Sequence, residues 1–178
     1  MADVTALARD VRSWAGSWSE DATLAVISHV DDLGQAAGRD LAFLDAVPRL
    51  LAAPWRTWVA EVQVQNGGYY QYFWNGYAPI ARATAGDFDA MGAVEFAVVQ
   101  RDAAAAFDAV ADRLDALRAA PSPPYGVAGP YQDGLRIEDF SAQDDAWSRA
   151  YDDQPVIDLI GAWLAQRTGE IADAILAT

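Results

Sequence analysis

The chain has 178 residues, 53% of them hydrophobic and 11% aromatic, which is enough for a real core and too apolar for a disordered segment. It carries 26 acidic against 12 basic residues, a net charge of −14, with every basic residue an arginine and 21 of the acids aspartate. Such a surface repels nucleic acid and anionic lipid, and draws basic proteins or cations toward it.

Val4, Leu7, Val11, Trp14 and Trp18 recur every three or four residues, which predicts a first helix from Asp3 that ends near Gly16. A second starts from a Ser19 cap, turns Leu24, Ile27 and Val30 inward, and runs toward Gly34. Gly38, Pro48 and Pro54 then divide the chain into short helical pieces, one of them with Leu41 and Leu44, and Pro54 suits the first turn of the next helix. From Trp55 to Gln65 two readings compete. Val62-Gln63-Val64-Gln65-Asn66-Gly67 followed by tyrosines reads as a β-hairpin with an Asn-Gly turn. Trp55, Trp58 or Val59, and Val62 equally form a helical stripe that Gly67 or Gly68 would end, with Tyr70, Phe73 and Tyr77 on one face of the helix beyond; helix, turn, helix is the favoured reading.

Pro79 to Met91 forms another helix, punctuated by Gly92. Phe96, Val99, Ala103, Phe107, Val110, Leu114 and Leu117 hold one face over about six turns and predict one long central helix at 93–117. Residues 121–134, rich in Pro and Gly, form an irregular surface loop. A Ser141 cap starts a helix to about Tyr151; another from Pro155 buries Ile157, Ile160, Trp163 and Leu164, with Ile171 and Ile175 in a last piece. The expected fold class is all-α, a multi-helix bundle in a single domain spanning 1–178.

The catalytic inventory is thin. Without cysteine or lysine there is no disulfide, thiolate, Schiff base or Ser-Lys pair, and His29 stands alone with no Gly-x-Ser-x-Gly elbow, H-E-x-x-H or P-loop. No metal or cofactor is expected. Glu61, Gln65, Asn66, Gly67, Gly68, Gln71 and Asn75 are the most specific polar group. Glu61 and Gln65 lie one turn apart before the glycines, and Gln71 and Asn75 one turn apart after them. They read either as a buried network satisfying helix ends or as a small-ligand-binding or enzymatic site, a polar pocket beside an aromatic wall around Glu61, Gln71 and Asn75. The aromatics from Tyr69 to Tyr77 read as core or interface.

Asp108, Asp112 and Asp115 share one stripe of the predicted long helix, away from its apolar face, spaced about 4.5 to 6 Å along the axis. The pairs Asp31-Asp32, Asp144-Asp145 and Asp152-Asp153 add further clusters elsewhere. These carboxylates are the expected partner-binding surface. GC-rich coding and adaptation to high salt stand as other sources of the acidity. No basic-then-apolar leader opens the N-terminus and no run reaches the roughly 20 apolar residues that span a bilayer, so the cytoplasm is the expected location.

Glu61 through Asn75, with Asn66-Gly67-Gly68, Gln71, Tyr72-Phe73 and Asn75, resembles the signature of the DNA-mimic-protein-like domain family. The similarity continues through Phe88-Asp89-Ala90-Met91-Gly92-Ala93, and more loosely through Asp144-Asp145, over about residues 50–170. Met91 stands where the family usually has isoleucine, and Gln143 where it often has leucine. The resemblance implies an all-helical fold and a helix-turn-helix at Gly67. It also implies that at least one member acts as an acidic dimer that occupies the DNA-binding surface of a transcription factor; with the thin catalytic inventory and the net charge of −14, the expectation for this chain is a non-enzymatic homodimer with a basic partner of that kind.

Overall fold

Side-chain caps open the first two helices where the sequence places them. Asp3 accepts from the amides of Thr5 and Ala6 and starts α1 (Val4–Ser13); Ser19 accepts from Ala22 and starts α2 (Glu20–Ala36). In this computed structural model, which describes residues 3–119 and 140–178, the chain continues through a 3₁₀ turn (Leu41–Asp45) into α3 (Arg49–Trp74). A second 3₁₀ turn (Ala78–Ile80) leads to α4 (Ala81–Ala90), α5 (Val94–Asp108), α6 (Ala111–Ala119), α7 (Ser141–Asp153), α8 (Val156–Ala165) and α9 (Thr168–Leu176). No strand occurs among the described residues, so the hairpin reading at Asn66-Gly67 gives way to the helical one.

The bundle is built around α3, which packs against α2, α4, α7, α8 and α9, while α1 lies on α9, α4 on α5, and α5 on α7. Its second half supplies the densest apolar material. Tyr69, Tyr70, Tyr72 and Phe73 are fully buried, together with Phe88, Phe140 and Trp147 from neighbouring segments. Phe73 stacks on Phe107 with centroids 4.4 Å apart, and Trp147 sets its edge against Phe96 at 4.7 Å and Tyr69 at 5.8 Å. Full burial of such rings contributes about 2–3 kcal/mol each. The aromatic run is therefore core.

Three local expectations are corrected. The helix predicted over 93–117 is two, α5 and α6: the amides of Ala109 and Val110 bond to carbonyls three residues back, which tightens the turn and interrupts the α-helix. Apolar spacing alone does not register such a break, because Phe107 and Val110 still pack against the core across it. Pro54 lies inside α3, and Pro48 caps it instead; the missing Pro54 amide costs only the bond to the Leu50 carbonyl near the helix start. Ser141 is the first residue of α7, with Phe140 at the cap. The loop expected at 121–134 lies outside the described residues, as do the side chains of Leu114 and Leu117.

Candidate functional site

Within α3 the backbone leaves helical geometry at two residues only, Gly67 (φ −168°, ψ 26°) and Gly68 (φ 71°, ψ −176°). Gly67 is extended, a conformation open to any residue. Gly68 occupies a region that is essentially glycine's alone. The pair reverses the chain sharply: the side-chain amides of Gln71 (Nε2) and Asn75 (Nδ2) both donate to Gln63 Oε1, at 3.1 and 2.6 Å, although a straight helix would hold residues 63 and 75 about 18 Å apart.

A carboxylate from another helix secures this turn. Asp144 of α7 accepts from the Tyr69 amide at 2.7 Å, the first backbone donor after the turn, and so caps the second half of α3. Its side chain lies so close over Gly68 that a β-carbon there would meet Asp144 Oδ2 at 2.5 Å and Cγ at 2.8 Å. Burial raises the Asp144 carboxyl above its ordinary pKa, the Tyr69 amide opposes this, and neighbouring Asp145 adds to it.

The polar residues around the turn divide into three groups. Gln71 and Asn75 meet at Gln63, a residue the sequence reading passed over, while Gln65 and Asn66 are exposed. Glu61 is buried at 6% exposure beside the Tyr151 side chain of α7, with Oε2 left without a partner. Burial first, then the charges of Asp158 and Glu20, push its pKa up, against the Tyr151 hydroxyl. The folded protein therefore favours the protonated acid, and this stabilisation is lost as pH rises from the ordinary value of 4.5 through the raised one. Glu61→Gln mimics that form. At pH 7 the variant is expected to melt at a higher temperature than the wild type, with the gain shrinking toward pH 4.5; calorimetry across that range checks it.

Two buried polar groups lie deeper. Tyr69 donates from its hydroxyl to Gln100 Oε1 at 3.0 Å, while the Tyr72 hydroxyl faces Thr84 and Gln100 in the same enclosed space; burial raises both phenols well above the ordinary range. Asp87, at 1% exposure, accepts from Arg56 Nε at 2.6 Å and Arg49 Nε at 3.2 Å and ties α4 to the start of α3. No group of three or more His, Asp or Glu among the described residues is arranged to hold a metal ion.

The acidic surface is less uniform than the sequence suggests. Asp108 is ion-paired with Arg82, and Asp144 is engaged at the Gly68 turn. Asp112, Asp145, Asp152 and Asp153 are exposed and form no ion pair within the described residues; Asp115 is exposed as well. A family model described as DMP19-like protein matches residues 45–167. The chain belongs to that family. Curated proteins and solved structures gave no match.

The match covers the turn, the carboxylate over it and the Arg56–Asp87 pair, so the internal bracing of this DMP19-like chain lies within the family region. Gln63 was findable: it sits four residues before Gly67 as Gln71 sits four after, and counting outward from the turn pairs them. Asp144 carried no such signal, because nothing local marks a cap acting across 75 residues of chain. No helix among the described residues is long and apolar enough to cross a membrane.

Proposed function

We propose that this DMP19-like protein is a non-enzymatic acidic interaction protein that occupies the DNA-binding surface of a basic partner in the manner of a DNA mimic. The whole chain works as one helical domain and as a homodimer. The observation that carries the reading is the set of exposed carboxylates on α6 and α7, Asp112, Asp145, Asp152 and Asp153, that no arginine of the described residues neutralises. Family membership and the net charge of −14 support it. Arginines elsewhere are spent on internal pairs: Arg12 with Asp173, Arg82 with Asp108 and Arg101 with Asp89.

A partner's Arg and Lys side chains would pair with these carboxylates and release counterions, so association is expected to be strongly salt-dependent. Titration against a panel of purified helix-turn-helix DNA-binding proteins tests this. For a true partner, affinity falls at least tenfold between 50 and 300 mM salt, labelled DNA is displaced, and light scattering counts two copies of this chain per complex. D112N/D145N/D152N/D153N weakens the complex at low salt while leaving the melting temperature within a few degrees. Binding that ignores salt, or displaces no DNA, overturns the reading.

A further inference from the structure

The reversal at Gly67-Gly68 has a second product besides the packed aromatics. Residues just beyond α3, Asn75 to Tyr77, return beside Trp55 and Val59 of its first half, which a straight helix would leave about 24 Å or more away. Between them, the end of α2 and the Leu41–Asp45 turn lies a cavity of about 340 Å³, within the size range of small-molecule sites. Phe43, Trp55 and Tyr77 give it flat apolar walls, Phe43 and Trp55 meeting edge to face at 5.7 Å. The Phe43 ring reaches α2 only because Gly34 has no side chain; a β-carbon there would meet the ring at 2.9 Å.

Arg39 stands on the rim and breaks two local patterns. It is the one non-glycine among the described residues with a left-handed backbone, φ 64°, held there as its amide bonds to the Gly34 carbonyl at the end of α2. Glycine or asparagine would adopt this conformation with less strain. In a chain with 26 acids, Arg39 forms no ion pair within the described residues. Asp31, on the same wall, accepts instead from the Gln35 side-chain amide (Nε2) at 2.8 Å. Both charges lie near enough to the Tyr77 hydroxyl to act on it with opposite sign.

We infer that this cavity binds a small zwitterion with a flat apolar body, of the aromatic amino acid class, its carboxylate on Arg39, its ammonium on Asp31 and its ring against Phe43, Trp55 and Tyr77. The charges select for both groups together. A simple anion meets Asp31 and the field of the net −14 charge, and a simple cation meets Arg39. A molecule carrying both satisfies each wall, and the guanidinium suits a carboxylate bidentately. This site is separate from the exposed carboxylates of α6 and α7 and does not depend on their role.

Calorimetric titration of the full chain with L-phenylalanine, phenethylamine and 3-phenylpropionate is the test, since the last two each lack one charge. L-Phenylalanine is expected to bind the wild type at least tenfold more tightly than either analogue. Arg39→Gly is expected to lose at least tenfold in affinity while its melting temperature stays level or rises, because the backbone strain is relieved. Arg39→Gln, which keeps most of the side chain, shows the same loss of affinity. Asp31→Asn narrows the gap between L-phenylalanine and 3-phenylpropionate. The inference is overturned if no probe binds the wild type at millimolar concentration, if either analogue matches the amino acid, or if both Arg39 variants bind as the wild type does.

Discussion

Gly68→Ala is expected to lose about 3 kcal/mol or more of stability, from two effects at one atom. The backbone at φ 71° and ψ −176° is glycine's own, and forcing a side chain into such a region costs roughly 1–3 kcal/mol. The added β-carbon would also meet the Asp144 carboxylate at 2.5 Å, and moving that carboxylate away forfeits its hydrogen bond to Tyr69. Loss of a helix cap costs about 1 kcal/mol. Against a usual domain stability of 5–15 kcal/mol, the change takes a large share.

A double-mutant cycle separates the two effects. Asp144→Ala alone costs the cap; in its presence Gly68→Ala no longer meets the carboxylate, and only the backbone strain remains. Urea titrations of the wild type, both single variants and the double variant should give a double variant less destabilised than the sum of the singles. Strict additivity would show that Asp144 and Gly68 act independently and that the close approach has no energetic weight. Gly67→Ala is the internal control. Its φ of −168° lies in the extended range; the β-carbon would meet the end of the Gln71 side chain, which can swing away at the cost of its bond to Gln63, and Gln71 Cβ at 3.0 Å, so a loss smaller than that of Gly68→Ala is expected.

What could be read beforehand, and what could not, follows from the range of the interactions. Ser19 sits three residues before the amide it caps, and the apolar residues after Asp3 recur every three or four positions, so α2 and α1 were legible from short-range signals. The turn at Gly67-Gly68 was legible because only glycine takes the conformation, and the resemblance decided between two turns that both need it. The polar group around it was legible only as a set. Which amide meets which depends on how far the chain reverses, and the reversal sets Gln63, not Glu61 or Gln65, against Gln71 and Asn75. Asp144 looked like one more surface aspartate in a chain with 21 of them. Its role at Gly68 arises from the docking of α7 on α3, a tertiary event with no local trace. Arg39 was invisible for the same reason: a left-handed arginine is recognisable only once the backbone is known.

Asp87→Asn is expected to destabilise the protein by about 3–5 kcal/mol, the usual consequence of leaving a buried charge without its partner. The side chains of Asp87 and Arg56 are only 1% and 11% exposed, and their contact is 2.6 Å. Without the carboxylate, the Arg56 guanidinium stays enclosed between α3 and α4 with no opposite charge to offset its desolvation, and an asparagine oxygen can return only part of the lost interaction. Arg49, bound to the other oxygen, is 67% exposed and can return to water, so Arg49→Gln should cost no more than about 1 kcal/mol. That asymmetry is the decisive comparison: equal losses in Asp87→Asn and Arg49→Gln would show that burial of Arg56 is not the cause. Arg56→Met combined with Asp87→Leu removes both charges together and should recover most of the loss, since apolar replacement of a buried pair is often neutral. Because Arg56 and Asp87 are shielded from solvent, the Asp87→Asn loss should barely change between 50 and 300 mM salt, the range over which binding through the exposed carboxylates of α6 and α7 is expected to collapse. One salt titration of stability and binding thus tells the acids that brace the fold from those offered to a partner.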